Sequence, residues 1–118
     1  MTWEGALVGL LLVAAGGGLL WTAWTGSQRR LRRNRFVGIR TRATLRSDAA
    51  WTAAHEDAAG PLGVGAGFTA LAGLAVLVSG LDDPIGLTAA CVGVAICLVS
   101  VVVGARKGIA AARRADPG

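Results

Sequence analysis

Three stretches of this chain carry no charged side chain: 22 residues from Gly5 to Gly26, 24 from Ala58 to Leu81, and 22 from Pro84 to Ala105. Each reaches the roughly 20 residues that an α-helix needs to cross a ~30 Å hydrocarbon layer. A soluble domain of 118 residues would scatter its 19 charged residues along amphipathic helices. Here every Lys, Arg, Asp and Glu, and the one His, sits between or beside the uncharged runs. That pattern excludes a soluble globular enzyme and a secreted disulfide scaffold. It predicts an all-α membrane protein, a single membrane domain over 1–118, with spans at about 5–26, 61–81 and 84–105.

Charge sets the expected orientation. Eight arginines (Arg29, Arg30, Arg32, Arg33, Arg35, Arg40, Arg42 and Arg46) lie between the first and second runs, and Arg106, Lys107, Arg113 and Arg114 follow the third. The other side holds Glu4, Asp82 and Asp83. Cytoplasmic loops carry the excess of Lys and Arg, which predicts an amino terminus outside, an Arg-rich cytoplasmic loop at 27–60, an outer hairpin at Asp82-Asp83-Pro84, and a cytoplasmic tail at 106–118. The plasma membrane is the expected location. A net charge of +5 and a pI near 11.0 would also suit nucleic acid. The basic residues cluster beside spans, however, where topology and anionic lipid account for them, so nucleic acid is not an expected partner. The first run is expected to stay as a membrane anchor and not to be cleaved as a signal: it opens Met1-Thr2-Trp3-Glu4, and its positive charges come after the apolar stretch.

The glycines belong to the spans. Gly16-Gly17-Gly18 should remain helical in lipid and offer a flat face to a neighbouring helix. In the second span Gly63 and Gly67, continued by Ala70 and Gly73, form a stripe without bulk; in the third, Gly104 and Gly108 form another. Such pairs predict close helix packing, within the chain or between copies, and a homo-oligomer or a place in a larger membrane complex. Trp3, Trp21 and Trp24 mark the two ends of the first span, as headgroup-level anchors do. Cys91 and Cys97 lie six residues apart, about 120 degrees around a helix, and read as small apolar fillers.

Polar information concentrates in the loop. Ser47 suits an N-cap with Asp48 behind it, and Gly60 suits the close of a short interfacial helix before Pro61 restarts the chain. Trp51 and His55 then stand at i and i+4 on one face, with Asp48 and Thr52 beside them. A lone His without a second His or Cys nearby is a poor metal site, and no Ser-His-acid set or phosphate-cradling Gly loop is present. No cofactor, metal or catalytic residue is expected, and the chain reads as a non-enzyme.

The order Asn34, Arg35, Phe36, Gly38, Ile39, Arg40, Thr41, Thr44, Leu45, Ser47, Trp51, His55, Gly60 resembles the signature of the SdpI-like family, membrane proteins named for an immunity protein against a secreted killing peptide. The likeness covers about 27 residues and the span that follows. Members place this signature before two further spans, as here, and the chain resembles the short, minimal form. The resemblance implies protection from a membrane-active peptide, with a signalling role through sequestration of a repressor in the named member.

The residues themselves leave two roles open. Asn34, Arg35, Gly38, Arg40, Thr41, Thr44, Trp51 and His55 would suit an anionic headgroup or a peptide carboxylate, with Arg40 as a planar fork. Equally, they would staple the loop to the helix, Arg40 bonding helix-end carbonyls or Asp48. The expected function is therefore contact with a membrane-active peptide or regulatory partner. An oligomeric component that binds or transports anionic lipid, and an accessory subunit of a membrane complex, stand as alternatives.

Overall fold

A computed structural model describes residues 2–34 and 36–115. They form four helices: α1 (Trp3–Ser27), α2 (Arg42–Leu45), α3 (Asp48–Ser79) and α4 (Pro84–Arg114). The described chain is all-helical, without strands, and α1, α3 and α4 are each long and apolar enough to cross a membrane.

The ends of the helices are built from local chemistry. Thr2 caps α1, its hydroxyl accepting from the Gly5 N–H at 3.2 Å. At the other end the Arg30 N–H reaches the Thr25 carbonyl at 2.8 Å and the Arg29 N–H reaches Gly26 at 3.1 Å, a Schellman closure in which Arg29 takes the left-handed position at φ 60°. Ser47 caps α3 through the Ala50 N–H at 3.0 Å. Gly80, at φ 81°, ends α3 by donating to Val76 at 2.7 Å, and Asp83 caps α4 ahead of Pro84 in the first turn.

α3 is the centre of the bundle. It packs against α1 on one side and α4 on the other, while α1 and α4 scarcely meet. Glycines set how closely the axes approach. A Cβ on Gly16 would stand 2.7 Å from the Ala70 nitrogen, and one on Gly73 would stand 2.7 Å from the Val13 nitrogen, so α1 and α3 meet almost backbone to backbone. On the α4 side Gly104 rests on Leu62, and Gly108 on Ala54 and Ile39. Leu12, Ala72, Val76 and Ala90 join all three helices into one core cluster, and Ala23, Ala58 and Leu62 form a second. The large apolar side chains left over, among them Leu10, Leu11, Phe68, Leu71, Leu98 and Val102, face outward, as hydrocarbon as solvent requires.

Two features differ from expectation. Gly60 does not close a separate interfacial helix: α3 runs through Gly60 and Pro61 without a break. Proline removes only the bond to the Asp57 carbonyl at this point, and Gly104 and Gly108 of α4 clamp the helix at Leu62 and Ala54 on either side of it. Beyond the expected span, α4 continues through Arg106 and Lys107 to Arg114. In addition, Gly63 and Gly67 are not where α3 approaches the other helices of its own chain most closely. A Cβ on Gly67 would meet nothing within 4 Å and one on Gly63 only Ala23 at 3.8 Å, whereas Gly65 and Gly73, on faces turned to α4 and α1, are tightly covered. Serving two neighbours moves the bare positions to two faces.

At 32 and 31 residues, α3 and α4 reach about 48 and 46 Å, well past a ~30 Å hydrocarbon layer. The molecule measures 52 × 21 × 20 Å. Its surplus length lies where the end of α1, the loop, the start of α3 and the end of α4 come together. With the expected span of α3 starting at Pro61, residues 48–60 extend beyond it on the same continuous helix.

Candidate functional site: the arginine-rich cap

The loop from Gln28 to Ser47 folds over the projecting start of α3 and forms a cap. Trp51 and His55 are its centre. Both are 1% exposed, and their rings lie 4.2 Å apart between centroids, tilted by 35°. The Trp51 Nε1–H donates to the Leu31 carbonyl at 2.9 Å, holding the first part of the loop. His55 Nε2 accepts from the Ile39 N–H at 2.8 Å, and Nδ1 lies 2.8 Å from the Trp51 carbonyl. These partners select the neutral tautomer with its proton on Nδ1. Burial pushes the His55 imidazole below its ordinary range, opposed in part by the Trp51 carbonyl. With both nitrogens engaged, neither is left for a metal or a substrate.

Gly38 is required here twice over. Its φ is 113°, and a Cβ would stand 2.6 Å from His55 Nε2 and 2.9 Å from the Trp51 ring. The backbone therefore lies directly on the two rings and brings the Ile39 N–H to the imidazole. Thr44, fully buried, donates its hydroxyl to the Ile39 carbonyl at 2.7 Å. Thr41 and Thr44 cap one another across α2: the Thr41 hydroxyl accepts from the Thr44 N–H at 3.2 Å, and the Thr44 hydroxyl from the Thr41 N–H at 2.9 Å. Asn34 organises the preceding turn, with Oδ1 accepting from the Phe36 and Val37 N–H groups at 2.9 and 2.7 Å and Nδ2 donating to the Arg32 and Val37 carbonyls.

The structure thus brings Gly38, Thr44, Trp51 and His55 together and joins Thr41 to them through Thr44, with Asn34 in the adjoining turn. Their polar atoms are spent on the chain itself. Arg40 is exposed and makes no hydrogen bond or ion pair with another described residue. Arg35 lies outside the described residues. The stapling expected of Arg40 is carried instead by two arginines that the sequence does not distinguish. Arg33 Nε bonds Asp48 at 2.8 Å and its Nη1 the Leu45 carbonyl at 2.8 Å. Arg46 Nη2 reaches the Ala112 and Ala115 carbonyls at 2.5 and 2.6 Å, closing the end of α4 against the cap. Phe36 projects from the turn, 88% exposed.

Charge divides along the long axis. The arginines of the cap, together with Arg106, Lys107, Arg113 and Arg114 on the last turns of α4, occupy one end, and Glu4, Asp82 and Asp83 the other. Asp48, Glu56 and Asp57 temper the basic end through pairs with Arg33, Arg29 and Arg114.

No curated protein and no solved structure matches this chain. The sequence model of the SdpI/YfhL protein family matches residues 30–104, which takes in nearly all of the cap, all of α3 and most of α4. That is well over half of the chain, and the protein belongs to the SdpI/YfhL family.

Proposed function

We propose that this is a non-enzymatic protein of the plasma membrane, with its amino terminus outside and its cap in the cytosol, that serves an immunity or signalling role by meeting a membrane-active peptide or a regulatory partner. The observation that carries this reading is how the cap uses its polar groups. Asn34, Thr41, Thr44, Trp51 and His55 are turned inward to fix the backbone, while Phe36 and Arg40 stand outward without internal partners. An exposed aromatic and an arginine on a rigid frame are the residue types that anchor protein interfaces, and a pre-ordered frame lowers the entropy lost on docking. Family membership supports the same reading, because the family takes its name from an immunity protein.

The test is expression in a bacterium sensitive to a secreted membrane-permeabilising peptide, comparing the natural chain with the double variant Phe36→Ala, Arg40→Ala at equal membrane levels. Two readouts are followed: survival under peptide challenge, and the set of cytosolic proteins retained at the membrane. At least one should respond to the natural chain and fall back in the double variant. Neither readout responding to the natural chain would overturn the proposal.

A further inference from the structure

Beside Trp51 lies a cavity of about 410 Å³ between the end of α1 and the first turns of α3. Its wall includes Arg29, Arg32, Arg33, Asp48, Trp51 and Thr52. Trp51 Nε1 is already committed to the Leu31 carbonyl, which closes one side of the cavity. Arg33 is held in place by Asp48 and the Leu45 carbonyl, and Arg29 stands 3.5 Å from Glu56. Arg32 has no such partner: its guanidinium makes no ion pair or hydrogen bond with another described residue. The Thr52 hydroxyl is also unspent. Thr22 and Thr69 return theirs to the carbonyl four residues back, at 2.9 and 2.7 Å, but Thr52 does not. Three guanidiniums thus share the cavity with one carboxylate, which is itself bonded to Arg33.

We propose that this cavity binds a phosphate group, presented either by an anionic lipid headgroup or as free phosphate. Arg32 supplies the open planar fork, Thr52 a hydroxyl donor, and Arg29 and Arg33 the surrounding positive field. Asp48 orients Arg33 rather than meeting the anion. Depth favours a lipid as the source. Arg29 follows directly on the last turns of α1, where Trp21 and Trp24 are exposed as headgroup-level rings are. The site is separate from Phe36 and Arg40, so it stands or falls independently of the function proposed above.

Native mass spectrometry of the full chain released in mild detergent tests it, with phosphatidylglycerol and phosphatidylcholine offered in parallel and inorganic phosphate added as a competitor. Phosphatidylglycerol should be retained in preference to phosphatidylcholine. Arg32→Gln should lower its affinity by about tenfold and Thr52→Val by about threefold. Arg42→Gln removes the same charge from an exposed position outside the cavity and should leave retention within about twofold. Neither Arg32 nor Arg42 holds the fold together, so loss of structure does not confound the comparison. Displacement of the lipid by millimolar inorganic phosphate would identify free phosphate as a ligand of the site; retention in its presence would identify the lipid headgroup. Equal losses in Arg32→Gln and Arg42→Gln, or phosphatidylcholine held as well as phosphatidylglycerol, would reduce the effect to diffuse attraction and overturn the site.

Discussion

Gly38 and His55 set the behaviour of the cap at the scale of single residues. Gly38→Ala places a methyl group against the imidazole at a φ that L side chains rarely adopt. It should destabilise the cap by about 2 kcal/mol or more, seen as faster proteolysis within residues 30–46 while the three long helices persist. His55 adds a pH dependence whose sign follows from its burial. Folding favours the neutral ring, so its contribution is full above the ordinary imidazole value of 6.5 and is lost as pH falls through the lower value in the folded protein. Protonation would also place a hydrogen on Nε2 facing the Ile39 N–H. Cap protection against protease should therefore fall as the pH drops from 6.5 through that lower value. In His55→Gln the protection should be weaker at every pH and lack this step. Arg40→Ala, by contrast, should change stability by no more than about 0.5 kcal/mol, because the side chain is exposed and pairs with no other described residue.

The helices show how much of this was legible in the sequence. Charge-free runs mark the three spans because a charge in hydrocarbon is costly wherever it falls, and the i, i+4 spacing of Trp51 and His55 puts them on one face whatever the tertiary structure. Pro61 was not legible in the same way. A proline after a glycine reads locally as a stop, yet packing by α4 on both flanks carries α3 through it. The eight loop arginines are chemically alike, so their sequence could not separate Arg33 and Arg46, which bond helix ends and Asp48, from Arg40, which bonds no other described residue. Glycine spacing had the same limit. Gly63 and Gly67 make a better motif than Gly16 and Gly73, but only the second pair sits between backbones. This difference is directly measurable: Gly16→Val should lower the thermal stability of the detergent-solubilised protein markedly, by about 2 kcal/mol or more from overpacking, whereas Gly18→Val, with nothing within 4 Å of the added group, should leave it nearly unchanged.

Taken whole, the molecule is a lipid-facing bundle about one central helix, with a polar cap latched onto its longer end. The 52 Å axis exceeds the hydrocarbon thickness by roughly 20 Å, and that surplus carries nearly all of the positive charge. The bias of Lys and Arg toward cytoplasmic loops is the ground on which we propose a cytosolic cap. Single cysteines introduced at Phe36 and at Asp82, in a chain with Cys91 and Cys97 replaced by Ala, test this with a membrane-impermeant maleimide on intact cells. The account predicts that the cysteine at 82 is labelled at once and that the cysteine at 36 is labelled only after the cells are permeabilised; labelling at 36 in intact cells would contradict it.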